Sequence, residues 1–275
     1  MTIVTDRTRD RLPTVVFVHA HPDDEAIFTG GTIARLADRG HRVVVVVATA
    51  GEFGRPGTRA GRCDSPTQLG RRRTAETRRG CALLGVDEVE FLGYRDSGLP
   101  GDPANGSSGS FAAADVGEAA DRLASILRRV DAAAVVGYDD GGIYGHPDHL
   151  QVARVTDRAA VLAGVGTRYQ ATVDREYLHF VATHLVDRAH RSLPTPTGIG
   201  VESVLIDTQV DVRSVLEAKR AAIEAHSSQL LHDSPLARLG AEAFAEVYGW
   251  EWFIRTGPSG PIETLDRRSS ESIQR

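Results

Sequence analysis

Residues 43–47 are five consecutive valines. Valine is branched at Cβ, loses χ1 freedom in a helix and packs well on a pleated surface, so the run predicts a strand. A strand that is apolar at every position has no polar face to offer water and belongs in a sheet covered on both sides. Thr14–Ala20 (TVVFVHA), bounded by Pro13 and Pro22, has the same character. Val89–Leu92 and Ala133–Gly137 are shorter examples. Between these runs the spacing becomes helical. Ala26–Arg39 carries an apolar stripe of Ile27, Ile33, Leu36 and Ala37, with Gly40 as a stop. Arg71–Leu84 and Ala114–Val130 follow, and a further helix opens at Pro147 and runs to Leu162. Strand and helix in alternation mean parallel strands joined by crossover helices. The expected fold is α/β, with a doubly wound, mostly parallel sheet and helices on both faces.

The pattern weakens beyond residue 165. Thr167–Val173 and Val201–Ile206 read as strands, Glu176–Ala189 and Val212–His226 as helices, Ala241–Val247 as a short helix and Trp250–Ile254 as an apolar segment. These make a smaller C-terminal α+β extension. Gly51–Gly70 and Pro100–Ser110 read as loops, the second mobile by its Gly, Ser and Pro content. The domain reading is one unit over residues 1–256, with a core at 14–165, an extension at 166–256 and a flexible tail at 257–275.

Composition excludes several classes. A net charge of −5, from 32 basic and 37 acidic side chains, does not suit a protein that binds nucleic acid by bulk electrostatics. No apolar run approaches the roughly 18 residues of a membrane span. Residues 1–11 lack the apolar core of a signal peptide. Cys63 and Cys81 form no framework and read as free thiols of a reduced cytoplasm. Lys219 is the only lysine, an arginine excess that reads as G+C-rich coding. The expected partner is a small molecule, and the chain is compatible with a homo-oligomer.

In doubly wound sheets, ligands bind beyond the carboxyl ends of the strands where the winding reverses. Two histidine–aspartate clusters fall at such places. His21-Pro22-Asp23-Asp24-Glu25 follows the first strand, and Tyr144-Gly145-His146-Pro147-Asp148-His149 follows the fourth. Imidazole and carboxylate in a three-plus-water set suit a catalytic Zn²⁺, and Fe²⁺ can take similar sites. His21 and Asp24, three apart in a tight turn, can point at one ion, and one histidine of the second cluster completes the set. A carboxylate that is not a ligand can take a proton from the metal-activated water. The remaining histidine can stabilise an oxyanion or protonate a leaving amine.

Ala20-His21-Pro22-Asp23-Asp24-Glu25 together with His146-Pro147-Asp148-His149 resembles the PIG-L/LmbE-like zinc N-deacetylases, which have a Rossmann-like fold. Thr49-Ala50-Gly51-Glu52, Arg73-Thr74-Ala75-Glu76 and the Lys219–Gln229 segment extend the likeness. Arg95-Asp96-Ser97-Gly98 resembles the mycothiol-pathway members. The resemblance implies His21, Asp24 and His149 as zinc ligands and Asp23 as general base. It implies His146 as oxyanion stabiliser or proton donor, with Asp148 orienting it. Tyr144 would help bind the tetrahedral intermediate, and Arg73 and Asp96 would contact sugar hydroxyls. The implied function is metal-dependent hydrolysis of an N-acetyl (acyl) group from an amino sugar or related amide. A non-catalytic sugar- or metal-binding protein on the same scaffold is the alternative. A nucleotide-dependent enzyme is disfavoured, because Gly51-Glu52-Phe53-Gly54 lacks G-x-G-x-x-G.

Overall fold

The computed structural model describes residues 12–54, 65–181, 198–229 and 239–265. Its centre is a seven-stranded sheet of order β3-β2-β1-β4-β5-β7-β6. The strands are β1 (Leu12–His19), β2 (His41–Thr49), β3 (Glu88–Tyr94), β4 (Ala132–Tyr138), β5 (Thr167–Thr172), β6 (Thr208–Asp211) and β7 (Trp250–Thr256). β1 to β5 pair in parallel, and β7 runs antiparallel to both β5 and β6. In the central register Val16 lies opposite Val44 on one side and Val135 on the other. Val43–Val47 are all fully buried, as two covered faces require. Each contributes about 1.5–3 kcal/mol of burial free energy.

The helices are α1 (Asp24–Phe28), α2 (Gly30–Asp38), α3 (Pro66–Leu83), α4 (Val116–Arg129), the single turn α5 (Gly142–Gly145), α6 (Pro147–Ala163), α7 (Arg175–Phe180), α8 (Leu216–Ala225) and α9 (Ala241–Tyr248). The chain winds outward from β1 through β2 to β3, then crosses back to β4 on the other flank of β1. Right-handed crossovers in opposite directions put their helices on opposite faces. Accordingly α2 and α3 pack with α8, while α4 packs with α6. The reversal lies between β1 and β4, so the loops after these two strands share one crevice.

The C-terminal part joins this sheet rather than forming a layer of its own. β7 and β6 extend the β5 edge, and α8 closes over α2 and α3. A side chain at Gly31 would sit 2.3 Å from Val212 Cβ, so only glycine lets the start of α2 approach so closely. There Glu251 accepts the Gly31 and Thr32 N–H groups, both at 2.8 Å. Lys219 Nζ neutralises Glu251 at 2.6 Å, both side chains being buried.

Several sequence expectations need correction. The helix expected over Ala26–Arg39 is two, broken at Thr29, whose hydroxyl meets His19 Nε2 at 3.0 Å. α3 starts at Pro66, because the Ser65 hydroxyl caps it by accepting from Gln68 N–H. Val201–Ile206 is not a strand. Ser203 bonds instead to Glu176 and Asp174, a 3₁₀ turn spans Ser203–Leu205, and the strand falls at Thr208–Asp211. Pro100–Ser110 is pinned by Asn105 Nδ2 on Ser97 O and by Arg95 N–H on Gly109 O. The tail reading starts too early, since Ile262 and Leu265 are buried. Residues 55–64 of the first loop, 182–189 of the expected Glu176–Ala189 helix and 266–275 of the tail lie outside the described residues, as does Cys63.

Candidate active site

β1 delivers its last residues into a sharp turn. Asp23 adopts φ 100°, a left-handed conformation that favours glycine and that aspartate tolerates better than most residues. Glu25 Oε2 accepts the Asp23 N–H at 3.0 Å, and the Asp23 carbonyl accepts from Ala26 and Ile27, both at 3.1 Å. The turn is over-determined, and Asp24 and Glu25 open α1 fully buried. A residue held in such a conformation points to function.

β4 leads into a second strained turn. Asp139 accepts the Ile143 N–H at 3.0 Å and the Thr172 hydroxyl. Ile143, β-branched, is held at φ 64°. A side chain at Gly142 would meet Leu150 N at 2.8 Å and His149 Cβ at 2.9 Å. This packing brings Tyr144 Oη to 3.2 Å from His149 Nε2. His146 caps α6, its Nδ1 accepting the Asp148 N–H at 3.2 Å, and Pro147 supplies the first turn.

The two turns meet around His21. Asp24 Oδ2 lies 3.4 Å from His21 Nδ1 and 3.2 Å from His149 Nε2, and it also accepts the His21 N–H at 2.8 Å. One ligand atom from each of His21, Asp24 and His149 lies within 4.8 Å of the others, and all three residues are buried. Two imidazoles and one carboxylate converging without intervening bulk fit a metal ion. On the other edge of the ring, His21 Nε2 meets Asp148 Oδ2 at 3.1 Å and lies 3.8 Å from Asp96 Oδ1. His21, Asp96, His146 and Asp148 also group within the same 4.8 Å limit. A carboxylate can only accept here, so His21 donates Nε2–H to Asp148 and turns Nδ1 towards Asp24. The second group thus supports the first, with the Asp148 carboxylate fixing the tautomer of His21 as an outer carboxylate does for a metal-binding histidine.

Charge reinforces this arrangement. Burial alone would raise the Asp24 carboxyl, but the His149 and His21 imidazoles outweigh it and hold Asp24 well below the ordinary carboxylate range. Burial alone would lower His21, but Asp148 and Asp24 push it up to about 10. His146 is pushed down to about 4, first by burial and then by its neighbours His21 and His149. It is a neutral ring with Nδ1 accepting, so Nε2–H is its donor. Burial raises Asp23, opposed by Arg73, whose Nη2 is 3.2 Å from its carboxylate. Burial also pushes the Tyr144 phenol up.

Of the residues expected at the site, the structure brings together His21, Asp23, Asp24, Asp96, Tyr144, His146, Asp148 and His149. Asp148 and Arg73, also expected there, have side-chain partners the sequence reading did not name. The Asp148 carboxylate turns to His21 and to the Ser97 hydroxyl and N–H, while only its backbone touches His146. Arg73 is buried, and its guanidinium bonds Asp23, Gly51 O at 2.6 Å and Pro22 O. Asp96 accepts from Phe53 N–H and Gly98 N–H. Glu25 and His226 were missed. Glu25 Oε1 meets His226 Nε2 at 2.7 Å while its other oxygen holds the Asp23 turn. The acidic triplet and the histidine near the Lys219–Gln229 segment's end were the signals available. Glu76 accepts from Ser227 and Ser228, which ties that segment to α3.

Comparison with known proteins decides the family. The model of GlcNAc-PI de-N-acetylase, PIG-L, matches residues 16–160, more than half of the chain. The chain belongs to the PIG-L family. A 1D-myo-inositol 2-acetamido-2-deoxy-alpha-D-glucopyranoside deacetylase of Thermomonospora curvata is 37% identical, covering 93% of this chain and 94% of its own. One of Actinosynnema mirum is 42% identical over 79% of this chain and 81% of its own. The N,N'-diacetylchitobiose deacetylase of Pyrococcus horikoshii has the same Rossmann-like fold, with a TM-score of 0.58 and 23% identity over 94% of this chain and 87% of that one. The PIG-L match spans β1 to α6, the segment that contains both histidine clusters. No described helix is long and apolar enough to cross a membrane.

Proposed function

We propose that this PIG-L protein is a zinc-dependent amidohydrolase that removes the N-acetyl group from a glucosaminyl-inositol conjugate; its relatives' names give that substrate and that deacetylation for them. The observation that carries the reading is the convergence of His21, Asp24 and His149 beside a half-buried carboxylate, Asp23, that is not one of the three. Zn²⁺ held by those three side chains would polarise the amide carbonyl and lower the pKa of water to about 7, and Fe²⁺ fits the same donors. Asp23 takes the proton of the attacking water. Its left-handed turn and the Arg73 contact keep the carboxylate in one place. The new C–O bond forms at the carbonyl carbon. His146 Nε2–H then donates a hydrogen bond to the oxyanion, with Tyr144 Oη beside it. Asp23 returns the proton to the leaving nitrogen as the C–N bond breaks, which gives acetate and a free amine.

We assign Arg73 to positioning Asp23 and Asp148 to orienting His21. Asp96, buried and 3.8 Å from His21, is the residue we place against sugar hydroxyls. The buried free thiol of Cys81 supports a cytoplasmic setting. The test is amine release from the acetylated glucosaminyl-inositol by metal-stripped and zinc-reloaded protein. Turnover only after reloading is expected. Zinc binding without amine release from any N-acetyl sugar would favour a non-catalytic binding protein.

A further inference from the structure

A cavity of about 300 Å³ opens beside the histidine cluster, and of its lining residues only Tyr144 enters the chemistry above. Phe28, Ile143, Tyr144, Leu178, Val247 and Trp252 are among the residues that line it. Two of them adjoin the cluster. The Tyr144 ring is 4.7 Å from that of His149, and the Phe28 ring is 6.2 Å from it. Lys219 also lines the cavity, but Glu251 neutralises it at 2.6 Å, and its ammonium lies over the Tyr248 ring. Thr172 turns its hydroxyl to Asp139. Among the described residues, the cavity lining is mainly apolar and carries no unpaired charge, with the buried Trp252 Nε1–H as an unpartnered donor.

The cluster thus stands between unlike walls. Asp96 and Asp148 lie on the Nε2 side of His21, while Phe28 and Tyr144 pack on His149. A substrate amide at the cluster has two ends, a polyhydroxyl amine and an acyl group. Hydroxyls match the carboxylate side, which leaves the acyl group to face the apolar cavity. An acetyl group would put there one methyl, of about the size of a water, roughly 30 Å³. The cavity is about ten times larger, at the lower bound of sites that bury a whole ligand. We infer that this cavity is an acyl-chain pocket, and that the enzyme hydrolyses amides of medium-length linear acyl groups, about four to eight carbons, on an amino sugar. Water adds to the acyl carbon and the C–N bond breaks, giving the fatty acid and the amine, with no further reactant. The inference rests on the hydrolase reading above and extends its substrate class.

The chain's two tryptophans, Trp250 and Trp252, both line the cavity, so their fluorescence reports occupancy without turnover. The experiment compares N-acetyl-, N-butyryl-, N-hexanoyl- and N-octanoylglucosaminyl-inositol in amine release by zinc-loaded protein and in fluorescence titration of metal-stripped protein. Burial of one methylene is worth about fourfold. The expected kcat/KM therefore rises by up to about fourfold per methylene until the cavity is full, and hexanoyl exceeds acetyl by at least tenfold. Val247→Phe should lower the hexanoyl-to-acetyl ratio at least tenfold, and Leu178→Ala should move the preferred length upward. Efficient acetyl cleavage with hexanoyl tenfold slower, and a ratio indifferent to both substitutions, would overturn the pocket and leave the hydrolase standing. So would a rate that follows an apolar group placed on the sugar's anomeric position instead of the acyl chain. Selective fluorescence response to hexanoyl without cleavage of any amide would keep the pocket and overturn the hydrolase.

Discussion

Replacing Arg73 separates two roles for one side chain. In the structure its guanidinium bonds Asp23, Gly51 O and Pro22 O and is almost wholly buried. Arg73→Met removes the only cation that contacts Asp23 among the described residues and leaves a largely buried carboxylate uncompensated. Breaking a buried pair in this way costs about 3–5 kcal/mol. The lower end, about 3 kcal/mol, is expected because the Asp23 side chain keeps 21% exposure. The electrostatic consequence has a definite sign. Burial already raises Asp23 and Arg73 opposes it, so loss of Arg73 raises the carboxyl further. A general base with a raised pKa is protonated over more of the acid range, so the acidic limb of the kcat/KM profile moves to higher pH. Arg73→Lys keeps a charge but loses the planar fork that reaches three acceptors at once, and should fall between. Urea denaturation and a pH–rate profile of both variants form the assay. If Arg73→Met raised KM alone, with kcat, the acidic limb and stability unchanged, Arg73 would be a sugar contact and the positioning role would be wrong.

Asp23→Asn should retain the metal and lower kcat by about 10²–10⁴-fold, measured by amine release alongside metal content. Asp148→Ala removes the acceptor that fixes His21 and should weaken zinc binding by about 10–100-fold in a chelator competition. Zinc must displace a proton from His21, which is raised to about 10 in the metal-free protein, so apparent affinity should increase about tenfold per pH unit between pH 7 and 9. The same shift sets the metal-free protein's own pH dependence. The protonated His21 contributes its full stabilisation below pH 6.5 and loses it as the pH rises through about 10. Lys219→Met should cost about 3–5 kcal/mol in urea denaturation by stranding Glu251, and pairing it with Glu251→Met should recover part of that loss.

Where the chain's chemistry is repetitive, its sequence states the fold. Val43–Val47 and Thr14–Ala20 could only be buried strands, and those strands fixed the crevice where His21 and His149 meet. The histidine clusters were legible because both fall at strand ends, where a doubly wound sheet gathers its ligands. What escaped was decided by partners distant in sequence. Arg73 was expected against sugar hydroxyls, but its guanidinium meets the carboxylate of Asp23, 50 residues earlier. Asp148 is next to His149 in the chain, yet its carboxylate serves His21, 127 residues away. Glu25 and His226 are 201 residues apart. The Val201–Ile206 segment has strand composition, but Ser203 found side-chain acceptors in Asp174 and Glu176, 29 and 27 residues earlier, and those bonds displaced the ladder. The cavity walls come from α1, α5, α7, α8, α9, β5, β7 and neighbouring loops, which no local pattern joins.

The most direct test is a zinc titration of the metal-stripped protein that follows bound metal and amine release together, in the wild type and in His149→Ala. The account predicts that turnover rises in proportion to zinc and saturates at one ion per chain, and that His149→Ala neither binds that ion tightly nor turns over. Full turnover by the metal-free protein, or a His149→Ala variant that binds zinc and deacetylates normally, would contradict it.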